Sequence, residues 1–337
     1  MKEIYQLWKE KFADKLLEDH GNTPYHKEGS VLTHTFMVYN EAQFESDFYG
    51  IAALLHDIGK PKAVTYKDER KMFPNHEGLS TYMAVNFLKE LVKMGKIDED
   101  DMIDILFLIN AHGNIMKYKD SKKHWELYRY ETEKLEWIKT FNKFDVAGRI
   151  SDMEYNEVEI ECKADYIYNR DFDKPLVWIC MGSPLVGKDT FLKENNINNL
   201  DIVSRDVIMM NYATEKYGKG TYSELWKKLT DKDQKEIDKL LNKKIKTLQE
   251  QEKDFIINMT LVSYKSRRKM LNKIKKDYNI KYLNFLTDYE TILERNEKRN
   301  EEEGKFIPVP VLEMMMKNYQ FPLLGEDERI LDIITII

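Results

Sequence analysis

Five short stretches carry the side chains of a metal site: His34 in VLTHTF, His56 and Asp57 in LLHDIGKP, His76 in FPNHEGLS, His112 in INAHGN and Asp145 in NKFDVAG. Imidazole and carboxylate together suit Mn, Fe, Co, Ni or Zn better than Mg alone. His34, His56, Asp57 and Asp145 make one mixed nitrogen–oxygen site. Adding His76 and His112, with Asp57 as a bridge, makes a two-metal site able to activate water and hold a phosphoryl group for in-line attack. Lys60, just past the His-Asp pair, is placed to neutralise a phosphate oxygen. One such pair alone would equally fit a helix end. However, all seven histidines (His20, His26, His34, His56, His76, His112, His124) fall within the first 124 residues. That asymmetry assigns metal or acid–base chemistry to the N-terminal half.

The second constellation lies in VWICMGSPLVGKDT. Gly182, Ser183, Pro184, Leu185, Val186, Gly187 and Lys188 fit G-x-x-x-x-G-K between an apolar run and a helical one. The glycines let backbone N–H groups wrap a β-phosphate while Lys188 reaches the β and γ oxygens. ATP with Mg²⁺ is the expected ligand. Asp189 stands where Ser or Thr should follow the lysine, with Thr190 next. Either one oxygen ligand of Mg²⁺ replaces another, or ATP turnover is weakened. Asp206, in IVSRDVIM at the carboxyl end of a strand, fits the base for an attacking hydroxyl; it also fits a helix N-cap. Arg295 and Arg299, one helical turn apart in ERNEKRNEEEGKF, fit a lid that closes over a transferring phosphate or a solvated helix face.

The elements that must position these groups differ between the two halves. Up to residue 170, apolar residues recur at helical spacing over 3–18, 31–45, 48–56, 77–94, 100–110, 131–145 and 152–168, and no long stretch alternates at period two. This half reads as all-α. At NRDFDKPLVWICMG a polar break gives way to a β-branched run ending in glycine. Strands and helices then alternate: LVWICM, helix 189–195, DIVS, helix 206–217, helix 222–252, DFIINM, helix 264–278, KYLNFL, helices 289–300 and 309–318, and RILDIITI. That order predicts a parallel sheet flanked by helices. Two domains follow, 1–170 and 175–337, as the length allows.

Bulk properties narrow the class. The chain has 337 residues, 42 % hydrophobic and 33 % charged, which is globular composition. Residues 171–337 carry 29 Lys and Arg against 28 Asp and Glu, and the first 170 carry 24 against 31. Neither half is a basic coat, so any nucleic-acid contact is expected to be local, at a strand end. Cys162 and Cys180 make no disulfide framework. With no secretory leader and no apolar run of spanning length, a soluble, cytoplasmic protein away from membranes is expected.

YHKEGSVLTHTF, LLHDIGKP, FPNHEGLS, AHGN and FDVAG together resemble the HD-domain phosphohydrolases over roughly residues 20–150. The resemblance implies His34, His56, Asp57 and Asp145 as shared metal ligands, and His76 and His112 as the extra histidines of members holding two metals. His26 matches a family position to which no role is carried over. Residues 175–330 resemble the P-loop 5′-hydroxyl polynucleotide kinases of RNA repair, through the phosphate loop, the Arg205-Asp206 step, MTLVSYKSRRKML and RNEKRN…IPVPVLEMMMKNYQFP. Besides Asp189, two further positions depart from that pattern: Met209 replaces an arginine, and Asn258 stands where aspartate is frequent. Acceptor contacts are then expected from Arg205, Arg267 or Arg268.

An all-α HD-domain fold followed by an α/β P-loop kinase fold resembles the two-domain end-healing enzymes called HD-Pnk. It implies ATP-dependent phosphorylation of 5′-hydroxyl ends, with Asp206 and Lys188 catalytic, and metal-dependent removal of 2′,3′-cyclic, 2′ or 3′ phosphates, aided by Lys60. The implied partners are RNA (or DNA) strand ends and a separate RNA ligase. Two alternatives stay open: a nucleoside or nucleotide kinase fused to an HD nucleotidase, and an HD hydrolase regulated by an ATP-sensing P-loop module.

Overall fold

The computed structural model describes residues 1–21, 26–118, 121–122, 124–152, 173–195 and 199–337. The chain forms two compact units, Met1–Tyr166 with Met316–Gly325, and Ile167–Met315 with Glu326–Ile337. Most of the helix expected over 152–168, with Cys162 and the start of the expected boundary, falls outside the described residues.

The first unit is built on helices α1 (Lys2–Phe12), α2 (Val31–Ala42), α3 (Asp47–Leu55), α4 (Lys60–Ala63), α5 (His76–Lys93), α6 (Glu99–Ala111), α7 (Asn114–Tyr118) and α8 (Thr132–Ala147). Their starts follow local chemistry. Ser30 and Ser46 accept from the backbone N–H of Thr33 and Tyr49, and Asp98 forms a reciprocal capping box with Asp101. Helix α3 is buried from Gly50 to Leu55 and forms the centre of the unit.

This unit is not purely helical. Strands β1 (Thr65–Lys67) and β2 (Arg70–Met72) pair antiparallel. They are too short to show a period-two pattern. Their turn places Asp68 (φ 50°) and Glu69 (φ 62°) in the left-handed region without the glycine that would signal it.

Met316–Gly325 is expected from its position to belong with 175–337, yet it packs into the first unit. The Asn110 side chain donates to Tyr319 O (3.2 Å) and accepts from Phe321 N (2.8 Å). Rings of Tyr82 and Tyr319 meet edge to face at 5.4 Å. A methyl at Gly78 would lie 2.3 Å from Met316 O, so only glycine admits this strand of backbone.

The second unit is a five-stranded, wholly parallel sheet in the order β4-β5-β3-β6-β7, from β3 (Leu176–Met181), β4 (Asp201–Val203), β5 (Phe255–Asn258), β6 (Asn279–Phe285) and β7 (Ile330–Ile336). Its helices are α9 (Lys188–Glu194), α10 (Arg205–Tyr217), α11 (Tyr222–Lys228), α12 (Asp231–Glu250), α13 (Tyr264–Leu271), α14 (Tyr289–Glu303) and α15 (Val309–Lys317), the last ending in the first unit. The single helix expected over 222–252 is two. Leu229 is extended, and Thr230 starts α12 afresh by exchanging hydrogen bonds with Asp233. Helix α13 stops at Leu271, short of the expected 278.

Candidate metal centre and phosphate-binding loop

In the first unit, four imidazoles are fixed in the same way. The Nδ1 atoms of His56, His76 and His112 lie 2.7, 2.9 and 2.8 Å from the carbonyls of Ala53, Phe73 and Ile109, three residues upstream in each case. His34 Nδ1 meets Gly148 O at 3.0 Å. A carbonyl only accepts, so each Nδ1 carries a proton and each Nε2 is turned to the centre.

Asp57 sits between the two histidine pairs. Its Oδ2 is 3.1 Å from His56 Nε2 and 3.6 Å from His34 Nε2, while its Oδ1 is 3.0 Å from His76 Nε2 and 4.0 Å from His112 Nε2. Asp145 Oδ1 lies 3.0 Å from His34 Nε2. The Nε2 atoms within each pair are 3.4 Å apart. Two ligand groups, His34–His56–Asp57 and Asp57–His76–His112, thus share one buried carboxylate. Neither Asp57 oxygen receives a well-directed hydrogen bond, although Lys60 Nζ is 2.6 Å from Oδ2. These residues fit divalent cations bound on either side of Asp57.

Gly59 makes this approach possible. A Cβ there would lie 2.6 Å from Ser80 N and 2.7 Å from His76 O. Any other residue would push the first turn of α5, and His76 with it, away from Asp57.

Electrostatics follow the same geometry. Burial alone would raise the Asp57 carboxyl, but His56, Lys60 and His76 hold it well below the usual range. Burial likewise opposes charging of His34 and His76, yet Asp145 and Glu28 for the first, and Glu77 and Asp57 for the second, raise both above the ordinary imidazole value. Burial, with His56 and His76, depresses His112 to about 4. Protons on His34 and His76 are ones a bound cation would displace.

Sequence reasoning missed several neighbours. Glu28 meets His34 Nδ1 at 3.2 Å and His26 Nδ1 at 2.6 Å, and the HKEG stretch was its only signal. Arg149 forms an ion pair with Asp145, four residues upstream, a spacing that sequence displays. A pocket of about 380 Å³ opens over the centre, walled by His20, Lys60, Arg149 and by Arg70 to Phe73 of the hairpin strand β2 and the residue after it. For His124 only its place at the start of a short 3₁₀ turn is described.

In the second unit, the loop from Gly182 to Gly187 leaves the central strand β3 and opens α9. Gly182 (φ 139°) lies against β6: a Cβ would meet Phe285 O at 2.5 Å. Gly187 (φ 100°) supplies the left-handed residue before the helix. Ser183 is buried and Leu185 is also left-handed (φ 71°). Lys188 Nζ folds back on the loop, donating to Gly182 O (2.9 Å) and Ser183 O (2.8 Å). Burial lowers its ammonium to about 8. Asp189 Oδ1 accepts from Asn258 Nδ2 at 2.6 Å, and Thr190 is exposed.

Arg295 Nη1 donates to Leu185 O (2.8 Å), and Arg299 Nε to Lys305 O (3.1 Å). Arg299 Nη2 is buried with no hydrogen-bond partner, an unspent donor beside the loop. Asp206 lies in the first turn of α10, after the N-cap Ser204, and is exposed. It is not the cap. Its Oδ1 accepts from Tyr222 OH (3.1 Å), and its Oδ2 is 3.9 Å from Lys305 Nζ. Neither Tyr222 nor Lys305 stood out in the sequence.

Three arginines named for the acceptor part company. Arg267 is a correction: only 1 % exposed, it is paired with Glu326 and donates to the carbonyls of Leu261 and Val262, so its guanidinium is spent inside the fold. Arg205 is held by Asp238 (3.0 Å) and Gln234 (2.7 Å). Arg268 remains on the surface. Met209 is fully buried with Ala213, Leu225 and Ile237, so this position faces the core.

A family model described as an AAA domain matches residues 177–322. Among solved structures, the chain is similar to one in the Pnkp1/Rnl/Hen1 RNA repair complex (24 % identity, TM-score 0.37, 44 % of this chain and 45 % of that one). It is similar to a sugar kinase of Janibacter sp. HTCC2649 (20 %, 0.33, 48 % and 85 %) and a gluconokinase of Sinorhizobium meliloti 1021 (15 %, 0.28, 49 % and 84 %). The match thus spans less than half of the repair-complex chain. No curated protein matches. Among the described residues no helix is long and apolar enough to cross a membrane. The C-terminal part of this chain is a P-loop domain of parallel α/β fold.

Proposed function

We propose that the chain heals both ends of a broken RNA strand, removing a 2′,3′-cyclic, 2′ or 3′ phosphate in the first unit and phosphorylating a 5′-hydroxyl in the second. The observation that carries this reading is the pairing, on one polypeptide, of a histidine cluster centred on Asp57 with a phosphate loop whose Lys188 ammonium feels the exposed Asp206 carboxylate.

In the first unit, His34, His56 and Asp145 would hold a divalent metal with Asp57, and His76 and His112 a second, which would supply Lewis acidity at a phosphoryl group and its attacking water. Lys60 and Arg149 line the same pocket and offer cations to the phosphate oxygens. The Nδ1 anchors to backbone carbonyls keep each imidazole aimed, so little reorganisation accompanies reaction.

In the second unit, the loop N–H groups and Lys188 take the β- and γ-phosphates of ATP, and Arg295 and Arg299 stand over them. Asp206 accepts the proton of the acceptor hydroxyl as the O–P bond forms and ADP leaves. Lys188 exchanges its two carbonyl partners for phosphate oxygens. Asp189 holds Mg²⁺. These are two chemistries that strand sealing requires, and a separate ligase would complete it.

The test is one reaction. RNA bearing a cyclic phosphate and a 5′-hydroxyl is incubated with ATP, Mg²⁺ and a transition metal, and both ends are analysed. Conversion of both supports the proposal. Preference for free nucleosides over oligonucleotides would favour the nucleoside-kinase alternative, and ATP binding without turnover the sensor.

A further inference from the structure

We infer that Tyr222 and Trp226 form a stacking platform for the 5′-terminal nucleobase of the acceptor strand, an inference that rests on the kinase reading above. The two residues are one helical turn apart on α11, so they share a face. Their rings are nearly parallel, 8° apart, with centroids 6.1 Å from each other. A capping box of Thr221 and Glu224 starts the helix, and buried Leu225 pins it to the core. Trp226 nevertheless leaves 44 % of its surface in solvent. An exposed indole lying parallel to the ring that touches Asp206 is a surface on which a further ring can stack.

Position selects the occupant. Tyr222 OH donates to Asp206 Oδ1 at 3.1 Å, which ties the platform to the base that receives the acceptor proton. Lys305 Nζ sits 3.8 Å from the centre of the Tyr222 ring and 3.9 Å from Asp206 Oδ2. It covers one face of that ring and presents a cation where the strand continues. Ser223 Oγ donates to Gly304 O at 3.0 Å, holding α11 to the residue before Lys305. With its 5′-oxygen at Asp206, an acceptor carries its base about one sugar away, on the order of the reach from the carboxylate across the Tyr222 ring. Every base has an aromatic face, so such a platform tolerates sequence while requiring a base. No arginine needs to occupy position 209 for this grip.

The experiment compares wild type, Trp226→Ala and Trp226→Phe on two 5′-hydroxyl oligonucleotides, one with a normal first nucleotide and one abasic there. Trp226→Ala should raise KM for the normal acceptor about 10- to 100-fold, leave kcat and the KM for ATP near wild type, and be largely rescued in Trp226→Phe. The abasic acceptor should cost the wild type a similar factor and cost Trp226→Ala nothing further. An unchanged acceptor KM in Trp226→Ala, or an abasic penalty of equal size in both proteins, overturns the platform while leaving the kinase intact. If no 5′-hydroxyl is phosphorylated at all, the kinase reading itself falls. Fluorescence then decides the platform: quenching by the normal oligonucleotide that vanishes in Trp226→Phe sustains it, and its absence overturns it.

Discussion

Asn258 Nδ2 donates to Asp189 Oδ1 at 2.6 Å, joining the end of β5 to the first turn of α9. These are two of the positions that depart from the polynucleotide-kinase pattern, and they touch. The acid frequent on the strand is an amide here, and the hydroxyl residue expected after the lysine is an acid. One carboxylate oxygen is steadied by the amide, and under the proposed kinase reading the other would be the ligand for Mg²⁺.

We expect Asp189→Ala to weaken Mn²⁺ binding to the enzyme–ADP complex, read by electron paramagnetic resonance, and to slow phosphate transfer by about 10²-fold. The double change Asp189→Thr with Asn258→Asp should recover most of both. Failure of the exchanged pair to bind Mn²⁺ better than Asp189→Ala would show that the contact is incidental.

Asp57→Ala should remove bound transition metal and abolish phosphate removal, because both oxygens that face the histidine pairs go together. Kinase rate should stay near wild type. Elemental analysis and an end-labelling assay check this, and parallel loss of both activities in a folded variant contradicts two independent sites.

Asp206→Asn should bind ATP normally yet transfer phosphate about 10²–10⁴-fold more slowly, since the amide accepts no proton. Lys188→Ala should lose charge stabilisation at the phosphates, with a lower rate and weaker ATP binding. Phosphate removal should persist in both variants.

The Lys188 ammonium gives ATP binding a pH dependence of known sign. Burial lowers it to about 8 in the free loop, whereas phosphate beside it favours the charged form. The complex therefore holds more protons than the free protein above about pH 8, and affinity should fall as pH rises through that window. Calorimetry at pH 8.5 in buffers of different ionisation enthalpy should detect proton uptake, about a fraction of one proton, and none in Lys188→Met.

Arg267→Ala should destabilise the P-loop unit by about 3–5 kcal/mol, because the buried Glu326 carboxylate loses the guanidinium that neutralises it. Arg267→Met with Glu326→Leu should restore much of it. Arg268→Ala, on the surface, should cost no more than about 0.5 kcal/mol. Thermal unfolding followed by circular dichroism checks the three.

What the sequence by itself determined is what short-range chemistry encodes. The strands around LVWICM, DFIINM and KYLNFL, the helix after the phosphate loop, and the histidines gathered before residue 125 are all local signals: period, turn glycines and residue type. They sufficed for a parallel α/β unit after a helical one, and for naming His34, His56, Asp57, His76, His112 and Asp145 as a set. Tertiary structure alone decided how that set is arranged, with the two oxygens of Asp57 facing different histidine pairs. Three local carbonyls only aim their imidazoles; Gly148 O reaching His34 and the missing side chain of Gly59 against α5 bring elements distant in sequence to one point. It also decided the fate of the arginines. Sequence shows a cation at 267 and another at 268, but one helical step turns the first into the core against Glu326 and leaves the second in water. Tyr222 and Lys305 acquire meaning only beside Asp206, since no spacing along the chain records that α11 and the α14–α15 connection meet there. Met316–Gly325 is a further case: its helical and apolar texture resembles that of its neighbours, and the hydrogen bonds of Asn110, the Tyr82 ring and the close approach at Gly78 tell which core it completes.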